Sequence, residues 1–92
     1  MESIRILGKD IAVKYVDTFI GADQIGECDV CGGEIIVTAT LKEDIKNETI
    51  LHEVIHCVDE MLMVGLTEEQ VNRLSVGLFA VYRENGFQLI KP

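Results

Sequence analysis

Basic side chains are scarce in this chain: eight Lys and Arg stand against sixteen Asp and Glu, a formal net charge of −8. Nucleic-acid binding relies on clustered cations that neutralise phosphate, so this balance excludes a nucleic-acid partner. The same deficit argues against docking on an anionic membrane surface. Long apolar runs are missing too. The most apolar stretch, Met61 to Leu66, is six residues, far below the roughly 20 needed to span a bilayer. The opening Met1-Glu2-Ser3-Ile4-Arg5 lacks the basic-then-apolar pattern of an export signal, so a cytoplasmic location is expected. Cysteine is also sparse. Three cysteines cannot all pair with one another, and without an export signal they read as thiols or metal ligands rather than a disulfide framework.

Repeats, low-complexity segments and linkers are absent, and 92 residues allow one domain spanning 1–92. So small a domain leaves much of its surface in water, and a bound metal would help to staple it. An apolar fraction of 48% nonetheless argues for a folded core.

The first half of the sequence carries strand signals. Ser3 to Leu7 and Ile11 to Val16 are rich in β-branched residues and flank Gly8-Lys9-Asp10, which predicts a hairpin. Asp17 to Asp29 is turn-rich, and Glu34 to Leu41 reads as a third strand after the Gly32-Gly33 break. The period then changes. Between about Glu43 and Val64, Leu51, Val54, Ile55, Val58 and Leu62 recur at helical spacing, with Gly65 as a natural stop. Thr67 and Gln70 match a capping box, opening a second helix that should bury Val71, Leu74, Leu78, Val81 and Tyr82 and end at Asn85-Gly86. Phe87 to Ile90 reads as a closing strand or a tail. The expected fold is α+β: a small antiparallel sheet of about three strands on two helices.

The only two histidines are His52 and His56, within His52-Glu53-Val54-Ile55-His56, an HExxH pattern on the first helix. Residues four apart lie one above the other on a helix, so both imidazoles can reach one metal ion. Glu53 lies about 100° around from His52, beside the metal but off its ligand line. There it can take a proton from a metal-activated water and pass it to a leaving amine. Two histidines dropped at random into this chain would stand four apart in roughly 2% of arrangements, which gives the motif weight. The bland alternative is a pair of solvated helix histidines with Glu53 as a surface charge. Against it, His52, His56 and Asp59 form a stripe that flanks the apolar face, as a cleft lining should.

A catalytic zinc site needs a third protein ligand and an open position. Asp59, Glu60, Glu68, Glu69 and the cysteines are the candidates. Asp59 shares the histidine stripe, where a short carboxylate can ligate or can orient an imidazole. Glu68 borders the apolar face of the second helix, and Glu69 is turned further toward solvent. In a helical hairpin Glu68 therefore has the better line to the site, although acids in a first helical turn are favoured by the macrodipole anyway.

His52-Glu53-Val54-Ile55-His56, followed across a short turn by Glu68-x-x-Val71-Asn72, resembles the gluzincin zinc metallopeptidases, with Val for the usual Ala. More narrowly, the chain is similar to small phage and prophage HExxH proteins of the ImmA/IrrE and SprT-like groups. The resemblance spans Gly26 to Asp29, Glu34 to Leu41 and both helices. It implies a Zn2+ ion on His52, His56 and Glu68, Glu53 as general base and acid, and a peptide or protein substrate. It also implies that the free edge of the Glu34–Leu41 strand holds an extended peptide by main-chain pairing.

A rival reading rests on the cysteines. Cys28-Asp29-Val30-Cys31 is a CxxC turn, and together with His52 and His56 it would supply a closed four-ligand structural zinc site in a non-catalytic binding module. A closed site has no use for Glu53. Alternatively one of the two cysteines is the third ligand, as in deformylase-like sites, or both are incidental thiols and Cys57 is a small buried filler. A third reading keeps the HExxH scaffold as a regulatory binding protein. Met61, Leu62 and Met63 suit core packing, a homodimer contact or a substrate pocket.

Overall fold

The computed structural model describes residues 2–17 and 25–86. Its elements are β1 (Glu2–Ile6), β2 (Lys9–Val16), β3 (Gly26–Asp29), β4 (Glu34–Thr38), α1 (Glu43–Leu62) and α2 (Glu68–Glu84). The fold is α+β, but the sheet has four strands in the order β1-β2-β4-β3. It is mixed rather than antiparallel: β1 and β3 run antiparallel to their neighbours, whereas β2 and β4 pair in parallel.

The expected hairpin is present with a tighter turn. Ile6 pairs with Lys9, leaving Leu7 and Gly8 as a two-residue loop with φ of 49° and 83°. Positive φ at both positions suits the right-handed twist of the flanking strands, and glycine tolerates it without a Cβ clash. β3 occupies the end of the segment that reads as turn-rich. Four residues with a glycine and two acids carry little strand propensity of their own, and pairing along β4 supplies what the local sequence does not. The turn back to β4 is fixed by Asp29, whose Oδ1 accepts from Gly32 N at 2.9 Å, and by Gly33 at φ 70°. Because β3 sits outside it, β4 is an interior strand, flanked by β2 and β3. Among the described residues the strand at that end of the sheet is β3, not the Glu34–Leu41 strand expected to have a free edge.

Ile35 and Val37 of β4 are fully buried and join Ile6, Ile11 and Cys57 in the core. α1 covers them with Ile50, Val54, Val58 and Met61. The buried line of α1 therefore passes through Met61, and Leu62 is left 59% exposed. On α2 the buried residues are Val71, Ser75 and Phe79. Of the face expected there, only Val71 is buried; Leu74, Leu78, Val81 and Tyr82 stay partly exposed. A small serine at the centre of the contact fits close packing of the helices, and hydrophobicity alone does not single it out.

α1 ends at Leu62, with Met63 in the left-handed conformation at φ 52°. Gly65, expected as the stop, comes two residues later at φ 86° and lies within the turn. The Thr67–Gln70 capping box forms reciprocally: Gln70 N donates to Thr67 Oγ1 at 3.1 Å, and Thr67 N donates to Gln70 Oε1 at 2.8 Å. Among the described residues no helix is long and apolar enough to cross a membrane. The reading of Phe87 to Ile90 falls outside the described residues, as does that of 18–24.

Candidate metal centre

α1 is a regular helix through the motif, so His52 and His56 project from successive turns toward the start of α2. The capping box fixes where α2 begins, and this places Glu68 in its first turn. The result is a tight cluster. His52 Nε2 lies 2.8 Å from Glu68 Oε1, His56 Nε2 lies 2.9 Å from Glu68 Oε2, and the two imidazole nitrogens are 3.2 Å apart. Each side chain offers one donor atom, all within 4.8 Å of one another, a group that can hold a metal ion.

The donor chemistry fits. Two imidazole nitrogens and a carboxylate oxygen form the ligand set of hydrolytic zinc sites, which keep their fourth position open. Ligands about 2.0–2.1 Å from a tetrahedral ion lie roughly 3.3 Å from one another, so the cluster needs to open by only a few tenths of an ångström. Each Nε2 can donate to the Glu68 oxygen beside it or, once deprotonated, offer its lone pair to a cation.

Glu53 borders the cleft beside both histidines but is not in the donor group. Its residue is only 7% exposed, and its carboxylate makes no hydrogen bond among the described residues. Burial pushes its pKa above the ordinary carboxylate range; His52 and His56 pull the other way, and Glu68 and Glu27 add to the rise. The wall facing it is the backbone of β3. A Cβ on Gly26 would stand 2.9 Å from Glu53 Oε2 and 2.8 Å from Thr49 Cγ2, so only glycine lets strand and helix approach this closely. Sequence reading missed Gly26, because a glycine in a turn-rich stretch signals nothing until β3 is known to pass the site.

The remaining candidates lie elsewhere. Asp59 lies outside the donor group and makes no hydrogen bond to an imidazole among the described residues. Its Oδ1 accepts from Gly65 N and Leu66 N at 2.8 and 3.0 Å, tying down the turn that leads to Glu68. Glu60 borders the cleft outside the cluster, and Glu69 pairs with Arg73 on the surface at 2.6 Å. Asp59→Ala should release the turn, costing about 2 kcal/mol for two hydrogen bonds to a charged acceptor. It should also weaken cation binding about tenfold through Glu68. Thermal unfolding and zinc titration measure both effects, and unchanged zinc affinity would show that Glu68 does not depend on this tether.

The expectation of thiols or metal ligands rather than a disulfide is corrected for Cys28 and Cys57. Cys28 and Cys57 form a disulfide, with Cα atoms 6.4 Å apart and a sequence separation of 29. Cys31 is free and exposed. The closed site on Cys28, Cys31, His52 and His56 is therefore not assembled, and no sulfur belongs to the donor group. The bond arises because β3 runs alongside α1, with Gly26 at Thr49 and Glu53 and Cys28 at Cys57. Spacing along the chain carries no trace of that adjacency.

Comparison with protein-family models, with curated proteins and with solved structures gives no match for this chain.

Proposed function

We propose that this chain is a minimal zinc-dependent peptidase of gluzincin type. The observation that carries the reading is the convergence of His52, His56 and Glu68 in one cleft, beside a buried Glu53 that makes no hydrogen bond among the described residues. His52, His56 and Glu68 would hold Zn2+, which when bound supplies Lewis acidity, making a water more acidic and polarising a carbonyl. The chain's own groups do the rest. The Glu53 carboxylate, with its affinity for protons raised by burial, accepts a proton from the attacking water and delivers it to the leaving amine nitrogen. Among the described residues β3 ends the sheet next to α1, so an extended peptide pairing beyond it along Glu27 to Asp29 would lie across the cleft. The tight approach at Gly26 keeps that edge close to Glu53.

Zinc-restored protein should cleave an unstructured fluorogenic peptide, and chelator-stripped protein should not. Absence of turnover in protein with zinc bound would contradict the proposal. Glu68→Gln should lower zinc affinity by one to two orders of magnitude, since it replaces a charged ligand by a neutral amide. Affinity left unchanged, measured by competition with a zinc indicator, would take Glu68 out of the site.

A further inference from the structure

We infer that the cleft takes a cationic peptide, with lysine or arginine on both sides of the bond at the metal centre; this rests on the peptidase reading above. Glu48, His52, His56 and Glu60 follow one another in steps of four on α1, each step about 6 Å along the helix axis. Glu48 borders the cleft on one side of the histidines, and Glu60, with Glu27 of β3, borders it on the other. At roughly 3.3 Å per residue of extended chain, 6 Å is about two residues.

These three carboxylates are uncompensated. None makes an ion pair or hydrogen bond among the described residues. Among the described residues no lysine or arginine borders the cleft. Arg5, Lys14, Arg73 and Arg83 are paired with carboxylates elsewhere. A bound dication would balance the charges of Glu68 and Glu53 only, leaving Glu27, Glu48 and Glu60 to face an incoming chain. A second and independent feature points to a ligand in the same place: Glu53 is over nine-tenths buried, borders both halves of the cleft and has no hydrogen-bond partner among the described residues.

The test is binding of labelled alanine-based peptides, carrying either Lys or Glu at the flanking positions, to zinc-loaded Glu53→Gln protein by fluorescence anisotropy. Three partly exposed charge pairs predict about tenfold tighter binding of the Lys peptide, a margin that shrinks as salt is added. The combined variant E27Q/E48Q/E60Q should lose the margin. A control with three acids removed outside the cleft, E43Q/E69Q/E84Q, should keep it. Equal binding of the two peptides, a margin that survives in the cleft variant, or one lost equally in the control would overturn the inference. Cleavage of an uncharged peptide by wild-type protein, run alongside, separates the two readings. Cleavage without a Lys preference defeats only this inference, and a Lys preference in binding without any cleavage defeats only the peptidase.

Discussion

Replacing Glu53 by Gln is expected to lower peptide hydrolysis about a thousandfold, within the range that a general base contributes, and to make the metal-free protein more stable. The two effects share one cause. Glu53 is largely buried at the edge of the cleft and its carboxylate makes no hydrogen bond among the described residues, an arrangement suited to proton transfer and costly for a charge. Removing the charge should return about 1 kcal/mol, which in a domain of this size raises the melting temperature by roughly 4–8 °C.

The pH dependence follows from the raised carboxyl. The folded chain holds the Glu53 proton more tightly than the unfolded one. Its stabilising contribution is therefore complete below the unfolded value, about 4.3, and is lost as pH rises through the folded value. The stability gap between Glu53→Gln and wild type should accordingly widen from pH 4 toward neutrality. Zinc should still bind the variant, because Glu53 is not in the donor group. Retained turnover, or a variant that melts below wild type at neutral pH, would contradict this account of the residue.

Breaking the Cys28–Cys57 bond should produce the largest loss of stability. It closes a loop across a separation of 29 residues, for which chain entropy gives roughly 3.5 kcal/mol. Either reduction or the double substitution C28S/C57S should then lower the melting temperature by about 15 °C or more. The loss should also reach the metal centre. Cys57 adjoins His56, and Cys28 lies in the strand that walls the cleft, so zinc affinity should fall together with stability. A melting temperature unchanged by reductant would show that the bond does not hold strand and helix together. Disulfides persist in oxidising compartments and are reduced in the cytosol, which sets this bond against the cytoplasmic location expected from the N-terminus. Thiol counting on protein quenched with acid at harvest decides between them: one free thiol with the bond intact, three with it broken.

What could be read from the sequence was whatever a single helix encodes. The four-residue step places His52 and His56 on one face, and the capping box places Glu68 at the start of α2. Both are local rules, and the structure follows them. The parts that escaped depend on neighbours distant in sequence. β3 is too short and too rich in glycine and acids to announce itself, and the parallel pairing of β2 with β4 leaves no turn signature. The end of the described sheet, the disulfide and the approach of Gly26 to Glu53 all follow from that one strand. Asp59 shows the limit of a helical stripe as an argument. It shares the histidine face, as the spacing requires, yet its carboxylate is taken up by two backbone amides of the following turn.

The central claim is that His52, His56 and Glu68 form a single site for a divalent cation, and calorimetric titration of chelator-stripped protein with Zn2+ tests it most directly. The expected result is one ion per chain for wild type and for Glu53→Gln, with binding lost in the double variant H56A/E68Q. Absence of saturable binding to the wild type, or binding undiminished in the double variant, would contradict it.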